Sequence, residues 1–399
     1  LRRALAPEPG AIDAELLGLG RVAQRRAHAV HPVDVVGRVD PLGEVVGPGR
    51  QHQDDVLGVP SVVPDVVLEG PARFGRAGWA DAATVVPWAV YESYGDPDIL
   101  VRQLDSMRRW VRSLEARERP SGLLEPGMQL GDWLDPDAPP ERPWLAKADP
   151  ELIANAFFAH SARLLERTAS IVGDETTATW AAALGDRVAA ATWQAWRDTG
   201  PGTQTGCALL ICMDIAPASE RPAVGQALAD LVNAADGRVA TGFLGTPFVL
   251  PALARTGHLA EAYRMLLRTG TPSWLYPVKQ GATTIWERWD AIRPDGSIHP
   301  GTLNPVPGSP DGTVDGHMLS FNHYAYGAVI DWVYRHVAGL APDSRQPGYR
   351  LTRFAPAPVH GMAWARARVA SAYGDVSIEW EIDDTGLFSA RVSLPNGTS

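Results

Sequence analysis

Glu287 is the residue whose surroundings most clearly suit chemistry. It stands in the stretch GATTIWERWD, between Trp286 and Trp289. Two flat rings could exclude water and hold the apolar face of a sugar, and a carboxylate beside such walls can act as a general base toward a water molecule. Because the three residues before Trp286 are β-branched, the motif is predicted on an extended loop segment and not in a helix. Glu287 is therefore the candidate general base.

Arg288 leaves a second interpretation of the same stretch open. Its guanidinium could hold Glu287 or Asp290 ionised through a salt bridge. In that case Glu287 could be a structural acid that merely pairs with an arginine. The decapeptide alone does not decide between the two.

A second cluster, GDWLDPD, surrounds one tryptophan with acids. Asp132 and Trp133 could bind a sugar through carboxylate acceptors and ring stacking, with Asp135 and Asp137 close by. The same residues could equally form a solvated turn that ends at Pro136. Taken alone, this stretch favours the turn.

Two further clusters repeat the combination of an acid or histidine with large aromatic residues. In GWADAATVVPW, Asp81 and Trp88 are candidate ligand contacts, and Asp81 could also cap the helix that follows. In SFNHYAYGAV, His323 at a helix start could donate to a ligand, or it could be a packed or capping histidine. Four such clusters, all in loops or at helix starts, together favour a sugar-binding cleft.

The composition excludes several other classes of function. The net charge is −10 and no basic stripe is present, which argues against a nucleic-acid partner. No apolar run reaches 18 residues, so no membrane span is predicted. Two cysteines, Cys207 and Cys212, make no disulfide framework and are expected to be buried thiols on a helix. The histidines have no metal-ligand spacing, so neither a metal nor a cofactor is expected. The 14 tryptophans suit a carbohydrate ligand.

The elements that must position these residues are mainly helical. Apolar residues recur at helical spacing from about residue 78 to 340, and the predicted helices include 220–235, 247–256, 258–269 and 319–338. Asp98, Asp149 and Asp174 are the predicted helix caps. Long loops at 124–144 and 283–316 separate helix pairs and are of a length that is usually functional. This pattern predicts a toroid of helices with its loops gathered at one end.

The two ends of the chain differ from this helical part. After Gly339 apolar and polar residues alternate, which predicts antiparallel β structure over 340–399 that is cut short at Ser399. Residues 1–57 contain no Phe, Trp or Tyr and are expected to be disordered or mistranslated. We recognise no signal peptide, so the expected location is cytoplasmic, with the true N-terminus uncertain. The sequence thus predicts three parts: 1–57, 58–339 and 340–399.

The four motifs GWADAATVVPW, GDWLDPD, GATTIWERWD and SFNHYAYGAV, in this order, resemble the bacterial α-L-rhamnosidases of glycoside hydrolase family 78. VPSVVPD near 59–65 and GFLGTP at 242–247 extend the resemblance. It implies a mainly α fold, an (α/α)6 barrel incomplete at its N-terminal side followed by a truncated C-terminal antiparallel β-sandwich. It also implies hydrolysis of terminal α-L-rhamnosyl bonds with inversion, with Glu287 as the general base. The implied rhamnose subsite contains Asp81, Trp88, Asp132, Trp133, Trp286 and His323.

The chain departs from this family in one respect that bears on activity. The family's general acid lies in an upstream stretch close to Asp-x-x-x-x-x-Glu-Arg-x-Gly-Trp-Thr-Gly-Asp, which has no counterpart here, and Glu44 lacks its surroundings. The N-terminal β domains of the family are also missing. We therefore expect doubtful activity for this chain. Two alternatives are a non-catalytic rhamnose- or sugar-binding remnant and another (α/α)6 glycosidase, such as a trehalase-like or glucuronyl hydrolase. The sequence leaves aglycone, linkage and oligomeric state open.

Overall fold

Helices build the larger part of the protein. The computed structural model describes residue 59 and residues 75–127, 129–301, 318–359 and 361–399. The predicted segment 1–57 and Glu44 lie outside these residues. In chain order the α-helices are α1 (Ala82–Tyr94), α2 (Asp98–Glu115), α3 (Pro150–Val172), α4 (Glu175–Trp196), α5 (Gln204–Cys212), α6 (Arg221–Ala234), α7 (Thr246–Arg255), α8 (Leu259–Leu266), α9 (Leu275–Lys279) and α10 (Val329–Trp332).

Successive helices pack as hairpins: α1 with α2, α3 with α4, α5 with α6, and α7 with α8. One continuous apolar core joins these pairs, and Trp110, Phe158 and Leu184 are fully enclosed in it. The hairpin arrangement confirms the predicted α/α barrel class. Cys207 and Cys212 lie on α5 as free thiols, the first buried and the second partly so, as predicted. None of the helices in the described part of the chain is long and apolar enough to cross a membrane.

Local sequence signals explain where several helices begin and end. Asp149 accepts a hydrogen bond from the Glu151 N–H at the start of α3, and Asp174 accepts one from the Thr177 N–H at the start of α4, both as predicted. The prediction for Asp98 is wrong by one position. Pro97 takes the cap position of α2, because Asp98 already has helical backbone and its N–H donates to Asp96.

The helix predicted over 319–338 begins later and is irregular. A 3₁₀ turn at Ala325–Ala328 leads into α10, which continues as a π-helix over Val333–Ala338. The preceding residues do not become helical because their backbone pairs with another loop: the His323 N–H donates to the Ile285 carbonyl at 2.8 Å.

The chain ends in antiparallel β structure, as predicted. Strands β1 (Leu340–Pro342) and β2 (Thr352–Phe354) form one pair, and β3 (Trp364–Ser371), β4 (Gly374–Ile382) and β5 (Phe388–Ser393) form a three-stranded sheet in that order. The alternating pattern of β4 buries Val376, Ile378 and Trp380. The Trp380 indole N–H donates to the Val337 carbonyl at 3.0 Å and so fixes the sheet to the last helical turn.

Candidate active site

Two loops that carry predicted site residues run side by side. The Glu287 N–H donates to the Ser320 carbonyl at 2.9 Å, and the His323 N–H donates to the Ile285 carbonyl at 2.8 Å. Residues 283–288 lie in a loop and not in a helix, as predicted, although bends interrupt the expected extended course. The backbone pairing places the candidate base and the candidate histidine on adjoining segments.

Trp133 belongs to the same neighbourhood. Its indole N–H points at the Met318 sulfur at 3.1 Å, and its carbonyl accepts the Phe243 N–H at 2.9 Å. Its ring lies 6.0 Å from that of Trp144. The loop of Trp133 therefore meets both the loop that precedes His323 and the turn at 242–246.

Phe243 is the central aromatic contact that sequence reasoning missed. Its ring stacks on His323 at 4.8 Å and lies edge-on to Tyr326 at 5.2 Å and to Trp79 at 6.4 Å. The available signal was the pair of glycines in GFLGTP. A side chain at Gly242 would overlap the carbonyl oxygens of Asp132 and Trp133, so this turn can approach the Trp133 loop only with glycine there.

Asp132 holds the Trp133 loop to that turn. Its carboxylate accepts hydrogen bonds from the N–H groups of Gly242 (2.7 Å), Leu244 (2.8 Å) and Gly245 (2.9 Å) and from the Thr205 hydroxyl. Burial raises the pKa of Asp132, while these four donors favour its ionised form. The carboxylate is thus fully engaged inside the protein.

Asp81 is engaged in a similar way. Its carboxylate accepts from the Trp110 indole N–H at 2.9 Å, from the Ser161 hydroxyl and from the Gly78 N–H. Burial raises the pKa of Asp81 to about 6. The expected side-chain cap is wrong: Asp81 occupies the cap position of α1, but its carboxylate makes no bond to that helix. It bonds instead to the turn before the helix and to α2 and α3.

Glu287 differs from these two acids. It is 7 % exposed, yet no hydrogen bond or ion pair to its carboxylate occurs among the described residues. A nearly buried carboxylate without a protein donor retains its full capacity to bind water or a ligand. Unlike Asp81 and Asp132, Glu287 is therefore free to do chemistry.

Arg288 makes no salt bridge to Glu287 or Asp290 among the described residues, although both acids act to raise its pKa, so the interpretation of Glu287 as an acid that merely pairs with this arginine gains no support. Its guanidinium donates to the Met318 carbonyl at 2.8 Å and to the Pro140 carbonyl at 3.0 Å. Burial lowers the pKa of Arg288. The side chain instead joins three loops: its own, the one before His323 and the one after Trp133.

The two tryptophans beside Glu287 face different neighbours. Trp286 is buried with Tyr276 and Ala291 and meets the edge of Phe321 at 5.4 Å. Trp289 stacks on Tyr326 at 3.8 Å. Although their ring contacts differ, both rings line one small pocket together with Ile285 and Arg288.

Trp88 lies apart from these groups. Its ring contacts are Tyr91 at 5.7 Å and the guanidinium of Arg167 at 5.8 Å. Seven helical residues separate Trp88 from Asp81, which corresponds to roughly 10 Å along the axis of α1. Its assignment to the rhamnose subsite stays a prediction.

His323 can serve as a hydrogen-bond donor. Its Nδ1 accepts the Ala325 N–H at 3.3 Å, so in the neutral ring the proton sits on Nε2. The stacked Phe243 ring holds the imidazole plane. Over the part of the chain that the structure covers, no three His, Cys, Asp or Glu side chains are grouped to hold a metal ion.

Two family models cover most of the chain. The bacterial α-L-rhamnosidase 6-hairpin glycosidase domain matches residues 45–337, and the bacterial α-L-rhamnosidase C-terminal domain matches residues 339–399. A Streptomyces avermitilis α-L-rhamnosidase is 39% identical over 82% of this chain, and one from Formosa agariphila is 34% identical over 88%. The chain spans only 29% and 36% of the length of these two relatives.

Solved structures of α-L-rhamnosidases are also similar to this chain. The native α-L-rhamnosidase of Aspergillus terreus superposes with a TM-score of 0.78 at 30% identity, covering 87% of this chain and 39% of that one. The Streptomyces avermitilis enzyme in complex with L-rhamnose superposes with a TM-score of 0.71 at 38% identity, covering 83% of this chain and 30% of that one. The chain belongs to the bacterial α-L-rhamnosidase family.

Proposed function

We propose that the chain hydrolyses terminal α-L-rhamnosyl bonds with inversion at the anomeric carbon, and that Glu287 is the general base. The observation that carries this proposal is the nearly buried carboxylate of Glu287, which accepts no hydrogen bond from the described residues and lies on a segment whose backbone pairs with the His323 segment, in a chain of this family. Relatives named α-L-rhamnosidase, and a relative's structure with L-rhamnose bound, support rhamnose as the sugar.

In the proposed reaction Glu287 removes a proton from a water molecule as its oxygen attacks the anomeric carbon. The bond from that carbon to the aglycone oxygen breaks on the opposite face of the ring, and the aglycone oxygen gains a proton. Trp133 would stack against the sugar, and the Nε2–H of His323 would donate to a hydroxyl. Asp81 and Asp132 would contribute indirectly, because their carboxylates hold in place the turns that carry Trp79 and Phe243.

The leaving oxygen needs a proton, which a general acid usually supplies. Asp81, Asp132 and Asp135 are the deeply buried acids near the site among the described residues, and protein donors engage the carboxylate of each. We propose that no described acid serves as an efficient general acid and that hydrolysis depends strongly on the leaving group. General acid–base catalysis typically contributes about 10²–10⁴-fold.

The test compares two rhamnosides with different leaving groups. A dinitrophenyl α-L-rhamnoside needs no protonation to leave, whereas methyl α-L-rhamnoside does. We expect measurable release from the first substrate and a rate ratio between the two that approaches the ratio of their spontaneous hydrolysis rates, because an efficient general acid would narrow that ratio by about 10²–10⁴-fold. Proton NMR of the first product should show β-L-rhamnose. Release of α-L-rhamnose as the first product would refute inversion.

Glu287→Gln keeps the shape of the side chain and removes the base. It should abolish most hydrolysis of the dinitrophenyl substrate and leave L-rhamnose binding largely intact, while the matched surface change Glu220→Gln should alter neither. Unchanged hydrolysis in Glu287→Gln would remove Glu287 from the mechanism.

A second candidate function, sugar binding without catalysis, is favoured by the engaged state of Asp81 and Asp132. It predicts saturable L-rhamnose binding with no release from either rhamnoside. A panel of other aryl glycosides would identify a different glycosidase specificity.

A further inference from the structure

A cavity of about 250 Å³ lies behind Arg288 and Trp289. Asp135, Arg288 and His299 all line it, and they are only 4 %, 6 % and 3 % exposed. The proposed hydrolysis uses none of these groups. Ionisable side chains are costly to bury unless water, a partner or a ligand satisfies them, so a cavity with three of them is a built polar site.

These side chains keep hydrogen-bonding capacity that the protein does not use. Each carboxylate oxygen of Asp135 accepts one backbone N–H, from Asp137 at 2.9 Å and from Lys147 at 3.0 Å, which leaves one lone pair free on each. His299 Nδ1 accepts the Gly301 N–H at 2.9 Å, so the neutral ring presents Nε2–H as a donor. Burial lowers the pKa of His299 and keeps the ring neutral.

Asp290 adds a free acceptor to the same lining. The structure shows no hydrogen bond or ion pair to its carboxylate among the residues it describes, although its half-buried side chain lines the cavity. The Asp290 charge acts on Arg288 and His299, but Asp290→Asn breaks no hydrogen bond or ion pair between described residues.

The charged groups of the lining are equal in number. Asp135 and Asp290 contribute carboxylates, Arg238 and Arg288 contribute guanidinium groups, and Arg238 is already paired with Asp137 at 2.7 Å. The lining therefore carries no net formal charge, which suits a neutral ligand. The structure also assembles no set of three metal-binding side chains anywhere in its described ranges.

Apart from Thr271 and the Tyr326 hydroxyl, the rest of the lining is apolar. Six prolines and the Trp289 ring contribute to it. Flat apolar walls with a few donors and acceptors match a sugar ring, which has C–H faces and a rim of hydroxyl groups. The volume lies just under the range of roughly 300–1,000 Å³ that is usual for small-molecule sites, so it suits one monosaccharide unit.

We propose that this cavity is a second carbohydrate pocket, which takes one neutral monosaccharide unit. It is separate from the proposed rhamnose site, because Glu287, Trp133 and His323 do not line it.

Ligand-observed NMR titration tests the proposal independently of hydrolysis. The probes are D-glucose, D-galactose and L-rhamnose, each titrated into the Trp133→Ala chain so that the first site is weakened. At least one sugar should saturate one site per chain. Adding Asp290→Asn should weaken that binding at least tenfold, because an ionised acceptor is lost.

The matched control is Asp295→Asn, an exposed carboxylate on the same loop that bonds only to Ser297. It should leave the affinity unchanged. No saturable binding of any of the three sugars up to about 100 mM, or equal binding with and without Asp290→Asn, would overturn the second pocket. Either result leaves the role of Glu287 unaffected, since neither change touches the base.

Discussion

Asp132 provides a quantitative test of how the site is held together. Its Oδ1 accepts the N–H groups of Leu244 and Gly245, and its Oδ2 accepts those of Gly242 and the Thr205 hydroxyl. In Asp132→Asn the amide oxygen can keep the first pair and the Thr205 hydroxyl can turn to accept from the amide. The Gly242 N–H then faces an NH₂ group and has no acceptor.

One buried donor without a partner costs about 1–3 kcal/mol. Asp132→Asn should therefore lower the free energy of unfolding by about 1–3 kcal/mol. Asp132→Ala leaves all three N–H groups without an acceptor and should lower the free energy of unfolding by at least about 3 kcal/mol. Domain stabilities are about 5–15 kcal/mol, so the alanine variant should be severely weakened.

Urea denaturation followed by circular dichroism measures both values. Asp375→Asn is the matched control, because it removes a carboxylate that pairs with Arg368 on the surface, and it should cost less than about 1 kcal/mol. The reasoning fails if Asp132→Asn is as stable as the native chain, or if the alanine variant is no less stable than the asparagine variant.

Two further predictions concern buried ionisable groups. The pKa of Asp81 is about 6 in the folded chain and lower in the unfolded chain, so the folded state binds more protons between these two values. The free energy of unfolding should therefore fall by up to about 3 kcal/mol as the pH rises from about 4 to 6. Parallel profiles of stability against pH for the native chain and Asp81→Asn would contradict this. Burial raises the pKa of Cys207 and Cys212 to about 12. Neither thiol should therefore react with Ellman's reagent at neutral pH until denaturant exposes both. Rapid labelling of the folded chain would contradict this, because it would show that the thiols are accessible.

The sequence predicted the helical part where local signals were strong. Caps at Asp149 and Asp174 and the apolar periodicity of α3 and α4 depend only on neighbouring residues. The start of the helix before α10 could not be found in this way, because residues 320–323 use their backbone groups to pair with residues 285–287. Local helix propensity contains no information about such long-range backbone pairing.

The site was predictable in its residue types but less so in their roles. Trp286 lines a small pocket with Trp289 and Glu287 does not, so sequence adjacency did not imply a shared pocket. Which acids are free is a tertiary property: Asp81 and Asp132 are engaged by donors from distant segments, and Glu287 is not. The predicted divisions at 57/58 and 339/340 stay predictions.

Calorimetric titration with L-rhamnose tests the central claim that Trp133, His323 and Glu287 form one rhamnose site. Trp133→Ala should weaken binding by about 1–3 kcal/mol while near-UV circular dichroism shows a folded chain. The matched change Trp193→Ala, at a partly exposed tryptophan on α4, should leave the affinity unchanged. Equal affinity of the native chain and folded Trp133→Ala would contradict the assignment of this site.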